Sequence, residues 1–142
     1  MATLEISTVI NRPVDQVFAF LADPAKQPMW QSNLLEIEQL TDGPMRVGTR
    51  IRELRRLGRR PTAYQAEVTA FELNQRFALR VITGPQVTLS YAFEPEEGGT
   101  RLRYQFVMRP SGMLRVLEPL IVRSLRKQSS SDFAKLKHIL ER

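Results

Sequence analysis

The sequence predicts an α+β domain in which a long C-terminal helix lies across a curved antiparallel sheet of seven strands. Three observations carry this. Apolar residues alternate with polar ones in successive short runs from residue 3 to residue 108. Short Gly-, Pro- and Asn-containing turns separate most of those runs, which is the pattern of antiparallel neighbours. The final stretch, from Met113 to Arg142, changes to helical spacing and is long enough to cover one face of a sheet.

Thr3 to Ile10 places Leu4, Ile6 and Thr8 on one face and Glu5, Ser7 and Val9 on the other, as a first strand requires. Asn11-Arg12-Pro13 ends it, and Pro13 suits the start of a helix because its missing N–H would be unpaired there anyway. Val14, Val17, Phe18 and Leu21 then recur at helical spacing, so Pro13 to Ala22 is a short amphipathic helix. Asp23-Pro24 breaks it, and a second helical piece carries Pro24 to Met29 toward Trp30.

From Leu34 the period is two. Leu34 to Leu40 ends at Thr41-Asp42-Gly43-Pro44, and Thr49 to Leu57 is followed by Gly58-Arg59-Arg60-Pro61 as a hairpin connection. Tyr64, Ala66 and Val68 share one face of Thr62 to Phe71, and Asn74-Gln75 turns the chain. Phe77, Leu79 and Val81 lead to Gly84-Pro85. Val87, Leu89, Tyr91 and Phe93 lead to Glu96-Glu97-Gly98-Gly99, and Leu102, Tyr104, Phe106 and Met108 complete the sheet. In the terminal helix Leu114, Leu117, Ile121, Leu125, Leu136 and Ile139 form one stripe, with a kink or break expected at Pro119. The turns at Asp42 to Gly48 and Gly84-Pro85, together with the helix start near Pro119, are expected to ring the mouth of a cavity.

The 142 residues fit one domain, 1–142, large enough to bury a core without staples. Absence of cysteine excludes disulfides, thiolate metal sites and a cysteine nucleophile, and fits a reducing cytoplasm. No basic and apolar leader opens the chain, and no apolar run approaches a membrane span, so a soluble cytoplasmic protein without a transmembrane segment is expected. A single histidine, His138, makes a poor transition-metal site, no Gly-x-Ser-x-Gly elbow supplies a serine nucleophile, and no phosphate-cradling glycine loop occurs; no cofactor and no metal are expected.

The net charge of +6 is concentrated in Arg50, Arg52, Arg55, Arg56, Arg59 and Arg60. Alternation would turn some of these inward, but Ile51, Leu54 and Leu57 at intervals of three suggest a bulge that resets the phase. The cluster is read first as a solvated edge hairpin protected by charge. One arginine entering the interior to hold a carboxylate or enolate, and contact with nucleic acid or acidic lipid, are the alternatives. Nucleic acid is disfavoured because aromatic side chains interleave poorly with the arginines.

Several motifs resemble one superfamily. Ile10-Asn11-Arg12-Pro13-Val14-Asp15-Gln16-Val17-Phe18-Ala19-Phe20 is similar to its strand-to-helix entry, and Asp23-Pro24 before Met29-Trp30 to its D-P-x(n)-W segment. Val47-Gly48-Thr49-Arg50, Phe93-Glu94-Pro95, Gly98-Gly99-Thr100-Arg101-Leu102 and Leu136-Lys137 resemble its recurrent turns and closing helix. The superfamily is the START/birch-pollen-allergen (SRPBCC) group, and within it the bacterial polyketide cyclase/dehydratase-like branch. The resemblance implies a helix-grip fold with a ligand cavity between helix and sheet. It does not choose a function.

Residues expected to line that cavity are Trp30, Tyr64, Phe77, Leu89, Tyr91, Tyr104, Phe106 and Met108 from the body of the domain. Leu117, Ile121, Leu125, Gln128 and Asp132 are expected from the helix. Gln128 and Asp132 interrupt the apolar stripe and suggest a polar spot in the wall. Binding of a hydrophobic or aromatic small molecule is the first expectation. The alternatives are a cyclase/dehydratase-type enzyme, with Tyr64, Tyr91 or Tyr104 as a weak acid, and a domain contacting a protein or an anionic surface. Catalytic residues are not assigned, and homodimerisation is left open.

Overall fold

The computed structural model describes residues 1–57, 59–84 and 86–142; Gly58 of the expected hairpin and Pro85 of the expected turn lie outside them. The strands are β1 (Ala2–Ile10), β2 (Leu34–Gln39), β3 (Arg50–Leu57), β4 (Arg60–Glu72), β5 (Arg76–Val81), β6 (Gln86–Glu96) and β7 (Gly99–Arg109). They form one antiparallel sheet in the order β1-β7-β6-β5-β4-β3-β2. The helices are α1 (Val14–Leu21) and α2 (Glu118–Glu141), with 3₁₀ turns at Pro24–Met29 and Gly112–Arg115. This is the arrangement that the alternation and the terminal helix predict, and the helix-grip fold that the resemblance implies.

The order explains the two short helices. β1 and β2 are consecutive in sequence but occupy opposite edges of the sheet, so the intervening chain must cross its end. It does so with α1 and the turn at Pro24–Met29. Val17, Phe18 and Leu21 of α1 are buried, and Phe18 meets Phe71 and Phe93 edge-on at 5.4 and 5.0 Å. Asp23 caps the following turn by accepting from the Ala25 amide at 3.0 Å, which is why the Asp-Pro pair ends one helix and begins the next. The β6–β7 hairpin turns through Glu97 and Gly98, both with positive φ, as a tight two-residue connection requires.

Three expectations are corrected. β3 carries no bulge: its pairing with β4 runs without a shift from Arg50 to Leu57, and the irregularities fall instead at Leu34/Glu36 in β2 and Val68/Ala70 in β4. Nor is the arginine hairpin an edge, because β2 covers β3. Strict alternation therefore holds, and Ile51, Glu53 and Arg55 share the inner face.

The second correction concerns the terminal helix. It does not run unbroken from Met113, and Pro119 does not kink it. Pro119 lies in the first turn of α2, where its missing donor costs nothing, and the break comes before it, at Val116 and Leu117. Leu114 and Leu117 are consequently exposed, not part of a buried stripe.

Third, the two turns expected at one mouth lie at opposite ends of the sheet. Gly43, Pro44 and Met45 face Asp15, Phe18 and Leu73 across a surface groove of about 490 Å³ beside α1. Val87, just beyond Gly84, packs with Ala2 and Met108 against Ile121 and Val122 at the start of α2.

Candidate functional site: a polar floor beneath the terminal helix

α2 is anchored at its C-terminal end. Lys137 donates to the Val9 carbonyl at 2.5 Å, Glu141 accepts from the Asn11 amide at 2.8 Å, and Leu136 is fully buried. One turn earlier Phe133 projects into the interior. It lies 5.6 Å from Trp30, 6.4 Å from Tyr91 and 5.1 Å from Tyr104. Tyr91 in turn stacks on Phe77 at 6.2 Å and leans on Tyr104 at 5.1 Å. Edge-to-face and offset pairs of this kind add about 0.5–1.5 kcal/mol each beyond burial.

Next to this aromatic group sits a polar floor. Arg55 pairs with Glu53 at 3.0 Å and donates from Nε to the Tyr64 hydroxyl at 2.5 Å. Its other nitrogens reach Asn33 Oδ1 at 2.8 Å and Gln31 Oε1. Burial opposes the Arg55 charge. The Glu53 carboxylate, by charge and by hydrogen bond, and Tyr64 together outweigh it, and the guanidinium is held firmly protonated.

The three tyrosines stay protonated as well. Burial raises Tyr64 well above its ordinary range, an effect that Arg55 partly opposes. Burial raises Tyr91 too, and its neighbour Tyr104 adds to the shift. Tyr104 rises for the same first reason, against Arg55 and Ser129. Each phenol is therefore available as a donor at neutral pH.

Asp132 closes the site from the helix side. It is buried, and it accepts from the Ser32 amide at 3.2 Å; among the described residues no sheet arginine or tyrosine hydrogen-bonds it. Desolvation raises its pKa, against the bonds from Ser32 and the charge of Arg55. Trp30 is 2 % exposed, and its Nε1 has no acceptor among the described residues. Such an orphan donor costs about 1–3 kcal/mol in a dry interior.

Of the residues expected to line a cavity, Trp30, Phe77, Tyr91 and Tyr104 meet in one buried cluster, whereas Tyr64 stands outside it and hydrogen-bonds Arg55. Leu89, Phe106 and Leu125 are half-buried against that cluster. Met108 and Ile121 belong to the smaller apolar cluster at the start of α2. Gln128 is half-buried, whereas Leu117 is 43 % exposed and stands outside both clusters. Glu53, Arg55, Gln31, Asn33 and Phe133 were not among the expected lining residues. Unbroken period-two alternation through β3 was the signal for the first two. The Phe133–Leu136 spacing of three was the signal for the last.

The family described as polyketide cyclase/dehydrase and lipid transport matches residues 1–141. No curated protein matches the chain. Among solved structures, the chain is similar to the di-domain ARO/CYC BexL from the BE-7585A biosynthetic pathway. The TM-score is 0.78 at 19 % identity, with 97 % of this chain and 46 % of that one covered. The chain thus spans about half the length of that relative. A START superfamily protein from Mycobacterium smegmatis aligns with TM-score 0.82 at 9 % identity, over 99 % of this chain and 98 % of the other. Ara h 8.0201 aligns with TM-score 0.75 at 13 % identity, over 97 % and 96 %. At these identities the likeness is one of fold.

Proposed function

The chain belongs to the polyketide cyclase/dehydrase and lipid transport family, and on that premise we propose that it binds a hydrophobic or aromatic small molecule between α2 and the sheet. The observation that carries the reading is the orphan Trp30 Nε1 beside Phe133, Tyr91 and Tyr104. A protein interior seldom leaves an indole donor without an acceptor. A ligand oxygen seated against the aromatic group would supply one. The Glu53–Arg55 pair is neutral as a unit and has most of its hydrogen bonds committed to Gln31, Asn33 and Tyr64. The floor therefore favours a neutral oxygenated ring over an anion.

The same donors support a second reading, an enzyme of cyclase or dehydratase type. Phenols held protonated in a dry site can donate toward a carbonyl oxygen as it gains charge. The two readings share a site and differ in whether the ligand leaves unchanged.

Trp30 is the sole tryptophan and reports on the site directly. Titration with the neutral dye N-phenylnaphthylamine should give saturable quenching of Trp30 emission with matching sensitised dye emission. Linear, non-saturating quenching would count against binding at this site.

A further inference from the structure

The start of α2 and the turn before it leave an apolar patch on the surface. Met113, Val116 and Leu120 are 84 %, 82 % and 63 % exposed. At 100° per residue, Leu120, Arg123 and Lys127 fall within about 60° of one another on the outer side of α2, opposite Ile121 and Leu125. Residues 109–127 hold five basic side chains, Arg109, Arg115, Arg123, Arg126 and Lys127, all exposed. Their one acid, Glu118, is ion-paired at 3.5 Å with the amino group of Met1.

We infer that this surface docks on an anionic lipid bilayer, with Met113, Val116 and Leu120 entering the headgroup layer and Arg115, Arg123 and Lys127 on the lipid phosphates. Aliphatic side chains of this size exposed together are uncommon on a soluble surface. An apolar patch rimmed by basic residues has the composition of a segment that lies in the membrane interface. Charge decides between occupants. A second copy would bring the same basic rim against itself and repel, whereas an anionic bilayer neutralises the rim and accepts the apolar side chains. Residues 109–127 contain no aromatic side chain on which bases could stack, which disfavours single-stranded nucleic acid. The inference rests on the surface alone and is independent of the ligand reading.

Vesicle flotation tests it, with phosphatidylcholine alone and with phosphatidylcholine containing about 30 % phosphatidylglycerol. The full chain is expected to float with the anionic vesicles, and less so as salt rises. The triple variants Met113→Ser/Val116→Ser/Leu120→Ser and Arg115→Glu/Arg123→Glu/Lys127→Glu should each lose about tenfold or more in partitioning. Exposed Arg50→Glu, on the sheet, should retain it. All these side chains are exposed, and circular dichroism verifies that the variants fold. Three results would overturn the inference: equal partitioning onto both vesicle types, unchanged partitioning of either triple variant, or a self-association in solution that the apolar variant abolishes.

Discussion

Glu53 and Arg55 sit two positions apart on β3, so alternation turns both to the inner face, where they close an ion pair at 3.0 Å. Glu53 is only 6 % exposed. Two charges in this setting are tolerated because each completes the other and because Gln31, Asn33 and Tyr64 accept three more of the guanidinium N–H groups. Removing one partner strands the other. Arg55→Met should destabilise the fold by about 3–5 kcal/mol. The double variant Glu53→Gln/Arg55→Met should lose clearly less than the two single losses combined. Urea unfolding of the four proteins measures this, and additive losses would show that the pair is not coupled.

Asp132 gives a pH dependence of definite sign. Its folded pKa lies above the unfolded value because burial penalises the charge. The folded state then holds that proton more tightly, so this group's contribution to stability is present in acid. It is lost as pH rises from the unfolded to the folded pKa. Glu96 and Glu141, both lowered by hydrogen bonds to partners, slope the opposite way. The comparison with Asp132→Asn isolates the one group, because asparagine keeps an acceptor for the Ser32 amide. The variant should match the parent in acid and exceed its Tm at neutral pH. A difference independent of pH would contradict the assignment.

Trp30→Phe separates packing from recognition. Loss of the larger ring leaves a cavity, but loss of the orphan donor offsets part of that cost, so stability should fall by no more than about 1–2 kcal/mol. Loss of Nε1 should weaken binding of an oxygenated aromatic ligand about tenfold, by calorimetric titration. Unchanged affinity would mean that the indole donor plays no part in recognition.

Gly99 follows the β6–β7 turn where β7 begins beside the end of β1. A Cβ added there would stand 2.7 Å from the Ile10 carbonyl oxygen, a backbone atom with no freedom to withdraw. Gly99→Ala should cost about 1–3 kcal/mol, visible as a lower Tm.

The sheet was legible in the sequence because one face of nearly every strand is buried, which enforces period two. β3 misled for a physical reason. Its inward positions are Ile51, Glu53 and Arg55, so the rule that apolar residues point inward failed there, and Ile51, Leu54 and Leu57 at intervals of three imitated a bulge. The polar floor was hidden by the same residues, since an arginine in a basic cluster reads as solvated until its partners on β3, β4 and the turn before β2 are in place. Asp132 was legible as a break in the helical stripe. Its partner, a backbone amide at Ser32, is invisible to side-chain patterns. Pro119 implies a kink only for a helix that begins at Met113; α2 begins at Glu118, and a proline near a helix start marks the first turn.

Native mass spectrometry of the protein purified without added ligand asks whether a small molecule occupies the site beside Trp30. A non-covalent adduct of one small molecule is expected, released on denaturation, with an occupancy that falls in Trp30→Phe and Phe133→Ala. A bare polypeptide mass, joined by no saturable binding of neutral aromatic compounds and no change in Trp30 emission, would contradict binding at that site.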